Sequence, residues 1–92
     1  MTDHPHHQSH ALVAKRLKRA RGHLDSVIGM IEAGRPCIDL AQQLHAVEKA
    51  VMEAKRTLIR DHLDHCLSAS SDARGESERS MLEEMRAITR YL

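Results

Sequence analysis

The 92-residue chain has almost no aromatic side chains: no Trp, no Phe, and Tyr91 alone. Its core must therefore come from Leu, Ile, Val, Met and Ala, the composition of a helical bundle. Long apolar runs are also missing, which excludes a membrane-spanning helix. The His-rich opening is not the basic, apolar, small-residue pattern of a leader, so a soluble cytoplasmic protein is expected. Cysteine is limited to Cys37 and Cys66. Without a secretion signal, two cysteines point to thiolate chemistry rather than to a disulfide. Catalytic furniture is absent too. Asp61, Asp64 and His65 lie close together, but no nucleophile setting, Gly-rich phosphate loop or paired-carboxylate cleft accompanies them, so the chain does not read as an enzyme.

Glycine and proline are scarce as well, with four and two residues, and their positions punctuate the chain. Residues 1–8 have no apolar periodicity and read as a flexible His-rich tail, with residues 9–92 as a single helical domain. Ser9 is an N-cap candidate. Val13, Leu17, Ala20, Leu24, Val27 and Ile31 then recur at alternating spacings of four and three, the seam of a bundled helix. Gly34 supplies a stop, and Pro36 suits the first turn of the next helix. From Pro36 to about Ser68 there is no internal breaker. Cys37, Leu40, Leu44, Val47, Val51, Ala54 and Leu58 form its seam, which His62 and Cys66 extend. Ser68 to Gly75 is a loop by composition, and a third, shorter helix from about Glu76 carries Met81 or Leu82, Met85, Ile88 and Leu92. The predicted fold is all-α: a three-helix protomer with a long second helix. A chain this small cannot cover such a helix alone, so an antiparallel dimer is expected.

Cys37, His62 and Cys66 are written C-x24-H-x3-C. Two thiolates and an imidazole suit trigonal Cu(I), and with a fourth nitrogen donor they suit Ni(II), Zn(II) or Co(II). His62 and Cys66 share one helix face, being one turn apart. Cys37 lies about 37 Å from His62 at 1.5 Å rise per residue, so one helix cannot unite the three. A second copy crossing antiparallel near Ala50 and Val51 unites them twice, by symmetry. The plain alternative is that both cysteines are small seam residues. His4, His6 and His7 of the tail are candidates for an additional donor, or form a tail without function. His10, His23, His45 and His65 read as solvated or structural.

Net charge is only +1, but five of the fourteen Lys and Arg residues fall in seven positions: Lys15, Arg16, Lys18, Arg19 and Arg21. They lie opposite the first seam, as a solvated face or as a phosphate-binding one. Lys49, Arg56 and Arg60 add a second basic stripe from the long helix, and an oligomer repeats both. No short second helix follows a tight turn, so helix-turn-helix is excluded.

With these features in place, the chain resembles the CsoR/RcnR family of metal-sensing transcriptional repressors over most of residues 12–92. The resemblance rests on Arg16 to Cys37 (RLKRARGHLDSVIGMIEAGRPC), Ala41 to Val51 (AQQLHAVEKAV) and Asp61 to Cys66 (DHLDHC). It implies a four-helix-bundle dimer that pairs into a homotetramer and binds double-stranded operator DNA when metal-free. Metal held by Cys37 of one protomer and His62 and Cys66 of the other then releases the DNA and derepresses metal efflux. It also implies that Lys15, Arg16, Lys18, Arg19 and Arg21 contact DNA, with Lys49 and Arg56 of the second basic stripe as further candidates, and that Glu84 is an outer-shell group at the metal. Copper sensors of the family carry Tyr before the first Cys, where this chain has Pro36. Its nickel and cobalt sensors recruit an N-terminal His, where strict spacing falls on Pro5 between His4 and His6. On balance this tilts the effector to Ni(II)/Co(II) over Cu(I). Formaldehyde- and persulfide-responsive branches of the same fold, and a metal carrier without DNA role, are the alternatives.

Overall fold

The computed structural model describes residues 9–70 and 76–92. Three α-helices follow one another: α1 (Ser9–Glu32), α2 (Cys37–Ser70) and α3 (Glu76–Ile88), the last ending in a 3₁₀ turn over Thr89–Tyr91. Among the described residues there is no strand, and no helix is long and apolar enough to cross a membrane.

The α1–α2 connection is built from the two breakers. Gly34 adopts φ +76°, and Gly34 N–H and Arg35 N–H donate to the carbonyls of Ile31 (3.1 Å) and Met30 (3.0 Å), a Schellman closure. One residue later the Pro36 carbonyl accepts from Asp39 N–H at 3.0 Å and Leu40 N–H at 3.1 Å, so Pro36 caps α2 from just outside it. Asp39 in the first turn complements the helix dipole and meets Arg35 at 3.4 Å.

Two boundaries differ from the sequence reading. Ser9 is itself the first residue of α1, and its hydroxyl is buried without a partner among the described residues, so it does not act as an N-cap. Helix α2 continues through Ser70, because the small residues Ser68, Ala69 and Ser70 permit helix even where their composition suggests a loop.

The hairpin of α1 and α2 splits each expected seam in two. Val13, Ala20 and Val27 of α1, and Val47 and Ala54 of α2, are buried where the two helices meet, with Ala20 and Ala54 allowing close approach. The alternate seam positions remain open: Leu17 and Leu24 are each 41 % exposed, Ile31 51 %, Leu44 43 % and Val51 45 %. Covering the exposed half of each such side chain is worth about 1 kcal/mol. Helix α2 alone is about 51 Å long, well beyond the width of a domain this size. Toward its C-terminal end, Ile59 and Cys66 are buried, and α3 packs on α2 with Met81, Met85 and Ile88 half-covered.

Ala at position 34 must adopt the left-handed conformation, although nothing lies within 4 Å of its added Cβ. Gly34→Ala is therefore expected to cost about 1 kcal/mol, entirely from the backbone, read as a lower urea midpoint with unchanged slope.

Candidate metal centre

His62 and Cys66 point to the same side of α2 because they are one turn apart, and α3 brings Glu84 to them. Cys66 Sγ lies 3.5 Å from His62 Nε2, and Glu84 Oε2 lies 3.7 Å from the same nitrogen. One donor atom from each residue falls within 4.8 Å of the other two. The surroundings grade from dry to wet: Cys66 is buried, the His62 side chain is 18 % exposed, and that of Glu84 is 60 % exposed.

Burial pushes the Cys66 thiol above its ordinary value of about 9, and the neighbouring Glu84 carboxylate pushes it further the same way. Both causes act against a second negative charge. A bound cation would reverse that balance, replacing the thiol proton and partnering the carboxylate.

Cys37 is exposed at the first residue of α2. The helix between it and His62 is unbroken, so the separation of about 37 Å stands and one protomer cannot assemble the three-residue set. Cys37, Leu44, Val51, His62 and Cys66 nevertheless share one side of α2 at 3.6 residues per turn. The half-exposed Leu44 and Val51 lie between the two groups of donors. His4, His6 and His7 lie outside the described residues.

All seven basic candidates, Lys15, Arg16, Lys18, Arg19, Arg21, Lys49 and Arg56, are exposed. Arg16 and Arg19 line an open groove of about 440 Å³ between α1 and α2 with Ala20, His23, Ala50 and Glu53. Arg16 donates to Thr57 Oγ1 at 3.4 Å, and Arg56 meets Glu53 at 3.4 Å. Two features here escaped sequence reasoning. His23 Nε2 donates to Gln43 Oε1 at 2.7 Å, which joins the RGH stretch of α1 to the QQL stretch of α2 across the hairpin. Thr57 and Glu53 also enter the basic face from α2, with no signal beyond their helical register to the arginines.

The chain is similar in sequence to known proteins. A family model described as "Metal-sensitive transcriptional repressor" matches residues 9–91. The copper-sensing transcriptional repressor CsoR of Mycobacterium ulcerans is 44 % identical over 63 residues, covering 67 % of this chain and 54 % of that protein. The copper-sensing transcriptional repressor RicR of Mycobacterium tuberculosis is 32 % identical over 80 residues, 86 % of this chain and 83 % of its own. CsoR of Bacillus subtilis is 32 % identical over 71 residues, covering 77 % and 69 %. The chain spans about half the length of the mycobacterial CsoR proteins it matches. No solved structure matches it significantly.

The raised Cys66 thiol links stability to pH. A group whose folded pKa lies above its unfolded value stabilises the fold fully below the unfolded value and loses that contribution as pH rises through the folded one. The metal-free protein is therefore expected to lose stability as pH climbs above about 9. Cys66→Ala should flatten that part of the curve, measured as the urea midpoint against pH.

Proposed function

Because the chain belongs to the CsoR/RcnR family of metal-sensitive transcriptional repressors, we propose that it is a copper-responsive repressor whose sites form between protomers. Metal-free, an antiparallel dimer, paired into a tetramer, presents the basic residues of α1 and α2 to operator DNA. Cu(I) held by Cys37 of one protomer and His62 and Cys66 of another favours a shape with low DNA affinity. Metal then weakens DNA binding by the factor by which DNA weakens metal binding. The family is one of repressors rather than enzymes.

The observation that carries this reading is the unbroken α2 with its half-exposed Leu44 and Val51 between Cys37 and the His62–Cys66 pair. A second α2 laid antiparallel on that stripe covers the apolar side chains and closes two equivalent sites at once. Two thiolates and one imidazole are a soft donor set suited to Cu(I). The similar repressors are also named for copper, which moves the preference away from the Ni(II)/Co(II) tilt of the sequence reading. His4, His6 and His7 are the observation that favours Ni(II) or Co(II) as a second reading. A persulfide sensor needs only the two cysteines, whereas His62 stands 3.5 Å from Cys66, a position that suits a metal.

The test is retention of a promoter fragment by the metal-free protein, followed by anaerobic titration with Cu(I), Ni(II) and Co(II). Cu(I) is expected to release the DNA at about one equivalent per protomer, and Cys37→Ala to abolish that release. Failure of every metal to release it would overturn the repressor reading. Arg16→Ala with Arg19→Ala should weaken DNA binding and lower its salt dependence by about one unit for each phosphate no longer neutralised, leaving metal affinity unchanged. A carrier would have no DNA affinity to weaken.

A further inference from the structure

The cluster at the C-terminal end of α2 contains more than the shared set requires. Glu84 brings a carboxylate oxygen to His62 Nε2 at 3.7 Å, and a single protomer therefore gathers three different donor atoms within 4.8 Å of one another. We propose that His62, Cys66 and Glu84 form a second, protomer-autonomous ligand set for a tetrahedral divalent cation, Zn(II) or Co(II), which uses two of the Cu(I) ligands but needs no Cys37. The inference rests on the proposed function in taking His62 and Cys66 as metal-facing.

Geometry supports this first. With bonds of roughly 2.0–2.3 Å to nitrogen, oxygen and sulfur, tetrahedral coordination separates N from S by about 3.6 Å and N from O by about 3.4 Å. The apo distances of 3.5 and 3.7 Å already match those edges, and the third edge lies within 4.8 Å. A modest turn of the exposed Glu84 side chain closes the set. Three protein ligands leave the fourth position for water.

Charge balance supports it independently. A thiolate, a carboxylate and a neutral imidazole bring two negative charges, which a divalent ion neutralises. Added to Cu(I) and two thiolates, the same carboxylate would raise the net charge of the complex from −1 to −2 in a partly dry site. Donor hardness points the same way, since carboxylate oxygen suits Zn(II) and Co(II) better than Cu(I). The two ion classes thus diverge at the third ligand: Cys37 from another protomer for Cu(I), Glu84 from the same protomer for the divalent ion. The exposure gradient fits as well, because an ion enters past the exposed Glu84 toward the buried Cys66 without help from a second chain.

The experiment measures Co(II) and Zn(II) affinity by absorption titration of the full chain, Co(II) directly and Zn(II) by displacement of Co(II), beside anaerobic Cu(I) affinity, for the native protein, Cys37→Ala and Glu84→Gln. Both altered residues are exposed, and circular dichroism checks that the helices persist. Cys37→Ala is expected to keep Co(II) affinity within about threefold and its tetrahedral spectrum, while losing Cu(I) affinity. Glu84→Gln is expected to lose about tenfold or more in Co(II) and Zn(II) affinity, with a much smaller loss for Cu(I). A purely outer-shell Glu84 acting through His62 would weaken all three metals together by about 10–100-fold. That result, or loss of the Co(II) spectrum in Cys37→Ala, overturns the proposal. If Co(II) follows the expected pattern but Cu(I) releases no DNA, the repressor reading fails and this site stands.

Discussion

An unbroken helix of 34 residues, α2, is the constraint on which the rest of this protein depends. Its interior contains neither Gly nor Pro, so nothing interrupts the backbone ladder, and it acts as a rod about 51 Å long. A rod of that length cannot be wrapped by a 24-residue α1 and a 13-residue α3. Half of its apolar seam is taken by α1 through Val47 and Ala54, and the other half, at Leu44 and Val51, faces outward. The same stiffness holds Cys37 far from His62 and Cys66. Under the proposed function, one arrangement meets both burial and metal chemistry: a second rod lying antiparallel on the first.

The rod also links the two ends of the proposed mechanism. Its C-terminal part carries His62 and Cys66 and is held by α3 through the neighbourhood of Glu84. It is tied to the basic helix at its middle by Arg16 to Thr57 and nearer its N-terminal end by His23 to Gln43, the latter part-buried at 2.7 Å. Under the proposed function, a displacement of α2 against α1 would strain or remake these hydrogen bonds, one of which holds Arg16. That gives a physical carrier for reciprocal coupling between metal and DNA, without a separate hinge domain.

In the proposed sites, metal preference turns on which third donor joins His62 and Cys66. Soft Cys37 would come from a partner protomer, whereas Glu84 is in the same chain at 3.7 Å from His62. A sensor with both proposed sites would discriminate ions partly by whether their coordination crosses the protomer boundary. Burial, and after it the neighbouring Glu84 carboxylate, raise the Cys66 thiol above its ordinary value, so a bound cation would compete with a proton for that sulfur.

Composition and periodicity by themselves determined the helical class, the three elements, the stop at Gly34, a new helix beginning at Pro36 to within one residue, and the fact that Cys37 cannot meet His62 on one helix. These are local or one-dimensional properties: breaker positions, spacings of three and four, and a rise per residue. Which half of each seam is buried was not legible, because Val13 and Leu17 are equally apolar and only the packing of α1 on α2 separates them. The failed cap at Ser9 and the continuation of α2 through Ser70 were hidden for a related reason, since small polar residues accept both helix and loop. Glu84 beside His62, and His23 on Gln43, join residues 22 and 20 positions apart in sequence. Such pairings exist only once helices have packed, because no spacing along the chain encodes where one helix crosses another.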